Sequence, residues 1–228
     1  MRDRLILALD VDSFKEAKRF LNSLFPLIKI YKVGPQLFIP YGKEIIKFIK
    51  KKGAKVFLDL KFFDIPNTVK NACKEVVNLG VEMFSLHIQG GLEMLKEAVK
   101  STEQQAKRKN TKRPFLLGVT VLTSKDERLK VGEISGVVKE AGLDGIICSA
   151  KETKLFRKNL GKKFLIVTPG IRPSGFSFQD QKRVSTPKEA VLSGADCLVV
   201  GRPILEAEDP LGVTKDILRE IYGAKRGN

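Results

Sequence analysis

Eight short apolar runs recur along this chain, near residues 5–9, 28–33, 55–60, 81–86, 115–121, 144–148, 164–168 and 195–200, and stretches of helical periodicity separate them. The helical stretches include 13–24, 36–51, 68–79, 92–100, 134–141, 186–192 and 211–222. Strands separated by helices lie parallel in βαβ units, because a parallel return needs a crossover long enough to hold a helix. Eight such units in 228 residues predict a closed (β/α)8 barrel, read as one domain over residues 1–228. A doubly wound open sheet is the alternative, since periodicity does not reveal closure. No Gly-x-Gly-x-x-Gly follows the first strand to favour it.

Phe57-Leu58-Asp59-Leu60-Lys61-Phe62-Phe63-Asp64-Ile65-Pro66-Asn67-Thr68 places two carboxylates and an ammonium in an otherwise apolar segment. Side chains on a strand alternate faces, so Asp59 and Lys61 point the same way and are neighbours in space. An ion pair closing the strand would account for those two, because a buried charge needs a partner. It would not account for Asp64, which lies beyond the strand. Pro66, with polar neighbours able to cap, marks the start of the next helix.

In such a barrel the working groups gather at the carboxyl ends of the strands. Asp10 ends strand one, Lys32 ends strand two, Asp59 and Lys61 end strand three and Thr123 follows strand five. Gly170-Ile171-Arg172 and Gly201-Arg202 follow strands seven and eight. Taken singly, Asp10 could cap a helix, Lys32 could be solvated and Thr123 could make a turn. Their convergence on one face is the stronger reading. A glycine lets the backbone approach a phosphate, exposed amides donate to it and a guanidinium adds two-pronged hydrogen bonds, so the ends of strands seven and eight read as a phosphate site.

The net charge of +16, from 42 Lys and Arg against 26 Asp and Glu, raises nucleic-acid binding as a possibility. The dense runs Lys50-Lys51-Lys52 and Lys107-Arg108-Lys109 to Lys112-Arg113 lie at helix ends without interleaved aromatics, so they read as a solvated face that also steers anions inward. No apolar run approaches the ~20 residues a membrane span needs, and the amino terminus leads directly into a strand, so the expectation is a cytoplasmic protein without a membrane partner. Cys73, Cys148 and Cys197 are widely spaced among apolar neighbours and read as buried free thiols, while His87 alone cannot supply a metal cluster.

Asp59-x-Lys61-x-x-Asp64 followed by Ile65-Pro66-Asn67-Thr68 resembles the signature of the orotidine 5′-phosphate decarboxylase family. Related sugar-phosphate decarboxylases and hexulose-phosphate synthases share the first part and use a metal ion, and Ile65 to Thr68 favours the nucleotide enzyme. Residues 167–173 and 199–204 are further matches, so the resemblance spans Asp10 to Arg202. It implies a pyrimidine nucleotide substrate, with Gly201 and Arg202 on the phosphate and Arg172 and Gln181 at the same end, Gln181 closing over the ligand. Thr123, with Ser124 beside it, would meet the base. Asp10 and Lys32 would serve the ribose and the charge network. Lys61 would donate the proton, held by Asp59 and by Asp64 of a second subunit, with Lys32 balancing their charge. Ile65 and Thr68 would reach the same neighbouring site, which implies a homodimer with shared sites. No metal and no organic cofactor is expected. Metal-dependent sugar-phosphate chemistry and RNA binding are the competing functions.

Overall fold

The computed structural model describes residues 3–120, 131–173 and 185–224. Its strands are β1 (Leu5–Ala8), β2 (Ile30–Val33), β3 (Lys55–Phe62), β4 (Met83–His87), β5 (Phe115–Val119), β6 (Gly145–Ile147), β7 (Leu165–Thr168) and β8 (Cys197–Val200). All pair in parallel with their sequence neighbours, and β8 returns to β1 through Leu5–Leu198 and Ile6–Val199 register pairs. The sheet is closed, so the chain forms a (β/α)8 barrel and not an open doubly wound sheet.

Around it run α1 (Phe14–Leu24), α2 (Pro35–Lys51), α3 (Pro66–Leu79), α4 (Gly91–Lys109), α5 (Val131–Ala141), α6 (Ala150–Leu160), α7 (Pro187–Leu192), α8 (Arg202–Leu205) and α9 (Pro210–Gly223). No helix among the described residues is long and apolar enough to cross a membrane. Local chemistry sets several starts. Ser13 caps α1 by accepting from the Glu16 amide at 3.1 Å, and Thr186-x-x-Glu189 forms a capping box at α7. The sequence expectations omitted α6, although Ser149-x-x-Glu152 is a capping box of the same kind. They also stopped the fourth helix near residue 100, whereas α4 continues to Lys109. Ser101, Thr102 and Gln105 break the apolar pattern there but are buried. The hydroxyls of Ser101 and Thr102 donate back to the Ala98 carbonyl, so polar residues occupy positions the helix turns inward.

Strand parity divides the core in two. Ile6, Ala8, Ile30, Phe57, Met83, Leu117, Val167, Cys197 and Val199 point inward and fill the barrel. Leu7, Tyr31, Leu58, Phe84, Leu116, Ile146, Ile166 and Leu198 point outward into the layer shared with the helices. Both faces of each strand are dry, which is why the strands read as continuous apolar runs. All three cysteines are free and buried, as expected.

The amino-terminal end of the barrel is closed by polar groups. Asp144, just before β6, pairs with Arg113 and accepts the Leu116 amide at 2.7 Å. Asp196, just before β8, pairs with Arg157 and accepts the Ile166 amide at 2.8 Å. Each carboxylate ties its own strand to the preceding one, and the arginine supplies the countercharge that partial burial requires.

Between these ties the β6–β7 seam leaves no room for a side chain at Gly145, where an added Cβ would lie 2.0 Å from the Leu165 carbonyl oxygen. Gly145→Ala should therefore cost about 1–3 kcal/mol, as overpacking does. Gly136→Ala, on an open face of α5, should gain about 0.5–1 kcal/mol. Urea unfolding of both variants checks the pair of signs.

Candidate active site

The inward face that fills the barrel with apolar side chains becomes polar toward the carboxyl ends of the strands. Lys32 on β2, Asp59 and Lys61 on β3, and Asp10 just beyond β1 line a cavity of about 440 Å³ at the carboxyl end of the barrel. The Lys32 ammonium lies 2.9 Å from Asp10 Oδ1 and 3.7 Å from Asp59 Oδ2, and the Lys61 ammonium lies 2.9 Å from Asp59 Oδ2. Asp10, Lys32, Asp59 and Lys61 thus form a row of alternating charge.

Asp59 is the most enclosed member at 7% exposure. Burial by itself would raise its pKa. The charges of Lys32 and Lys61 and the hydrogen bonds from Lys61 and Ser85 outweigh that effect and hold the carboxyl below the usual range. His87, at the end of β4, has its pKa lowered by burial and by Lys61 against the opposing pull of Asp59, so its imidazole is neutral at pH 7. Its ring lies 5.6 Å from that of Phe63.

Across the cavity, Gly170, Arg172, Gly201 and Arg202 line the wall formed after β7 and β8. Gly170 has φ of 75°, a left-handed turn that favours glycine, and it brings the chain back over the barrel mouth. The Arg172 amide donates to the Ser185 carbonyl at 3.0 Å, so the described residues on either side of 174–184 are joined. Gly201 leads into α8, so Arg202 starts a helix directly above β8.

Not every expected residue meets here. Asp64, Ile65 and Thr68 are exposed and line no part of the cavity of their own chain, and the Asp64 carboxylate accepts the Ile65 amide at 2.7 Å. The polar residues expected to cap α3 do not do so: its N-cap position is Ile65, and Pro66 begins the helix. Thr123, Ser124 and Gln181 lie outside the described residues. Among the described residues, no three His, Cys, Asp or Glu side chains converge as a metal-binding group.

Three features escaped the sequence reading. Strand β3 runs to Phe62, and its pairing with β4 shifts register between Leu58 and Phe62. Ser85, fully buried in β4, contacts both charged residues of the bulged segment; its only signal was a hydroxyl within Met83-Phe84-Ser85-Leu86. Cys148 and Ser149, beyond β6, also line the cavity. Burial pushes the Cys148 thiol up to about 12, which leaves it protonated at neutral pH.

Comparison with known proteins gives a consistent answer. Residues 3–217 match the profile described as "Orotidine 5′-phosphate decarboxylase / HUMPS family". The chain is 42% identical to the orotidine 5′-phosphate decarboxylase of Syntrophotalea carbinolica, over 98% of this chain and 96% of that protein. It is also 42% identical to the enzyme of that name from Haemophilus ducreyi, over 97% of this chain and 100% of the other. The crystal structure of orotidine 5′-phosphate decarboxylase from Lactobacillus acidophilus superposes with a TM-score of 0.80 at 38% identity, covering 96% of this chain and 99% of that one.

The lowered pKa of Asp59 has a testable sign. A carboxyl whose folded pKa lies below its unfolded value contributes stability above the unfolded value, and loses it as pH falls through the folded one. Asp59→Asn should therefore melt below the parent at pH 7. The gap should narrow as pH drops beneath about 4, where the unfolded carboxyl takes up its proton. Thermal scans of both proteins across pH 7 to 3 measure that gap.

Proposed function

The chain belongs to the orotidine 5′-phosphate decarboxylase / HUMPS family, and from that premise we propose that it converts orotidine 5′-phosphate to uridine 5′-phosphate and CO2 in pyrimidine biosynthesis. The observation that carries this reading is the alternating row Asp10–Lys32–Asp59–Lys61 on one wall of a cavity whose other wall holds Arg172 and Arg202. A row of fixed charges suits a reaction that develops charge on a carbon, and a pair of arginines suits a phosphate. The cavity volume falls in the range that holds small ligands.

In the proposed reaction the bond between C6 of the pyrimidine and its carboxylate breaks, CO2 leaves and the electron pair stays at C6. The Lys61 ammonium lies beside that carbon, stabilises the developing charge and delivers the proton that completes uridine 5′-phosphate. Solvent then restores the ammonium. Asp59 orients Lys61, and Lys32 balances Asp59 while linking it to Asp10, which takes the ribose hydroxyls. Arg202, with the backbone at Gly201, holds the phosphate, Arg172 and Gln181 close over it, and Thr123 meets the base. No cofactor enters these steps. The net charge of +16 would draw a doubly anionic nucleotide toward the mouth.

We further propose a cytoplasmic homodimer of chains that are each a single domain over residues 1–228. The exposure of Phe63 at 60% and Ile65 at 66%, beside an Asp64 that does not line the charged cavity of its own chain, supports a role for this segment in a neighbouring subunit. There Asp64 would complete the charge row next to Lys61, with Ile65 and Thr68 walling the substrate.

Incubated with orotidine 5′-phosphate and EDTA, the protein should consume the pyrimidine absorbance of the substrate. Lys61→Ala should lower kcat by about 10³-fold or more while still binding uridine 5′-phosphate, since proton delivery and electrostatic stabilisation are lost together. Near-parental turnover by a folded Lys61→Ala, or parental activity that requires a divalent metal, would refute the assignment.

Mixing inactive Lys61→Ala and Asp64→Ala homodimers under verified subunit exchange should restore about a quarter of parental activity. About half the dimers become mixed, and one of the two sites in each is intact. Mixed dimers with no gain over the separate variants would show that the sites are not shared.

A further inference from the structure

Between Leu58 and Phe62, β3 advances four residues while its partner β4 advances only two, from Phe84 to Leu86. The surplus is looped out of the ladder as a bulge, and Lys61 sits in it with φ of 51°, a left-handed conformation that a side chain with a Cβ rarely adopts. Strained backbone of this kind persists only where surrounding contacts over-determine it. The ladder cannot supply those contacts, because the bulge has removed the pairing there.

The contacts come from Ser85. The Lys61 amide donates to Ser85 Oγ at 2.9 Å, and the Ser85 hydroxyl donates to Asp59 Oδ1 at 2.8 Å. The hydroxyl uses its one proton and a lone pair, and the side chain is fully buried. Asp59 Oδ1 is thereby held on β4, which leaves Oδ2 to face the ammonium groups of Lys61 at 2.9 Å and Lys32 at 3.7 Å. A single hydroxyl fixes both the backbone that presents Lys61 and the carboxylate that orients its head.

The geometry points to Ser85 as a positioning residue for the Asp59–Lys61 pair: it replaces the missing ladder partner and locks the bulge in the conformation that aims the ammonium into the cavity. This inference rests on the decarboxylase reading, in which Lys61 acts on the substrate. Without the hydroxyl, the partly buried Lys61 amide loses its partner, Asp59 Oδ1 is released, and the lysine relaxes from the left-handed conformation. The substrate contacts assigned to Arg202 and Arg172 lie across the barrel and stay in place.

Ser85→Ala should therefore lower kcat on orotidine 5′-phosphate by about 10- to 100-fold while changing KM and the affinity for uridine 5′-phosphate less than about threefold. Ser85→Thr, which keeps the hydroxyl, should recover most of that loss. The acid limb of the kcat/KM profile should also move upward in Ser85→Ala, because Asp59 loses a donor while Lys32 and Lys61 still pair with it, Asp10 still pairs with Lys32 and His87 still feels its charge. In the parent, hydrogen exchange at the Lys61 amide should be slow even though that residue lies in the bulge. An active parent with a Ser85→Ala variant of parental kcat would overturn the role of Ser85 alone. A parent without turnover would instead overturn the decarboxylase reading. Should Ser85→Ala fail to fold, fast exchange of the Lys61 amide in the parent, or a folded Ser85→Thr no more active than background, would overturn the inference.

Discussion

Asp59 has lost most of its contact with water, and a carboxylate in that position stays ionised only while cations and donors replace the solvent. Lys32, Lys61 and Ser85 do so, and their arrangement depends on that single acid. Lys32 reaches Asp59 Oδ2 from the neighbouring strand while holding Asp10 with the same ammonium. Lys61 meets Asp59 from two residues along the chain, and Ser85 clamps the other oxygen from β4. Removing the carboxylate would leave two ammonium groups facing each other without the charge that now separates them. The row is held together by contacts within the chain, which is the preorganisation that electrostatic stabilisation of a developing charge requires.

The two ends of the barrel use charge in different ways. At the amino-terminal end Asp144 and Asp196 each accept a backbone amide of the preceding strand and an arginine, so both carboxylates are spent on closing a seam. At the carboxyl end the groups that line the cavity face a space large enough for a ligand. The division follows from the fold: helices return the chain to the amino-terminal end through tight turns, whereas the connections leaving the strands are free to vary in length and to carry chemistry.

Family membership and the site agree through different evidence. Identity of about 42% extends over nearly the full chain, while the charge row is a matter of ångström distances among four side chains. Both agree with the proposed nucleotide decarboxylation, and the exposed segment carrying Asp64 and Ile65 is the part that the proposed dimer would cover. Phe63 and Ile65 expose apolar side chains on either side of Asp64.

The alternation of apolar runs with helical periodicity determined the parallel α/β class with eight strands, because strands covered by helices on one side and by the core on the other show as apolar runs. The spacing of Asp59 and Lys61 determined that they would meet, since strand parity is a local property of the backbone. The capping box at Ser149 was equally local and was overlooked beside a weak apolar pattern. Closure of the sheet was decided in three dimensions, by β8 reaching β1 across the length of the chain. So was the assembly of Lys32 and Asp10 with Asp59, whose proximity depends on register between strands that sequence spacing does not encode. The bulge at Lys61 was decided there as well. A left-handed lysine is unfavourable by its own local preference, and it exists because Ser85, on a different strand, supplies the hydrogen bonds that the interrupted ladder cannot.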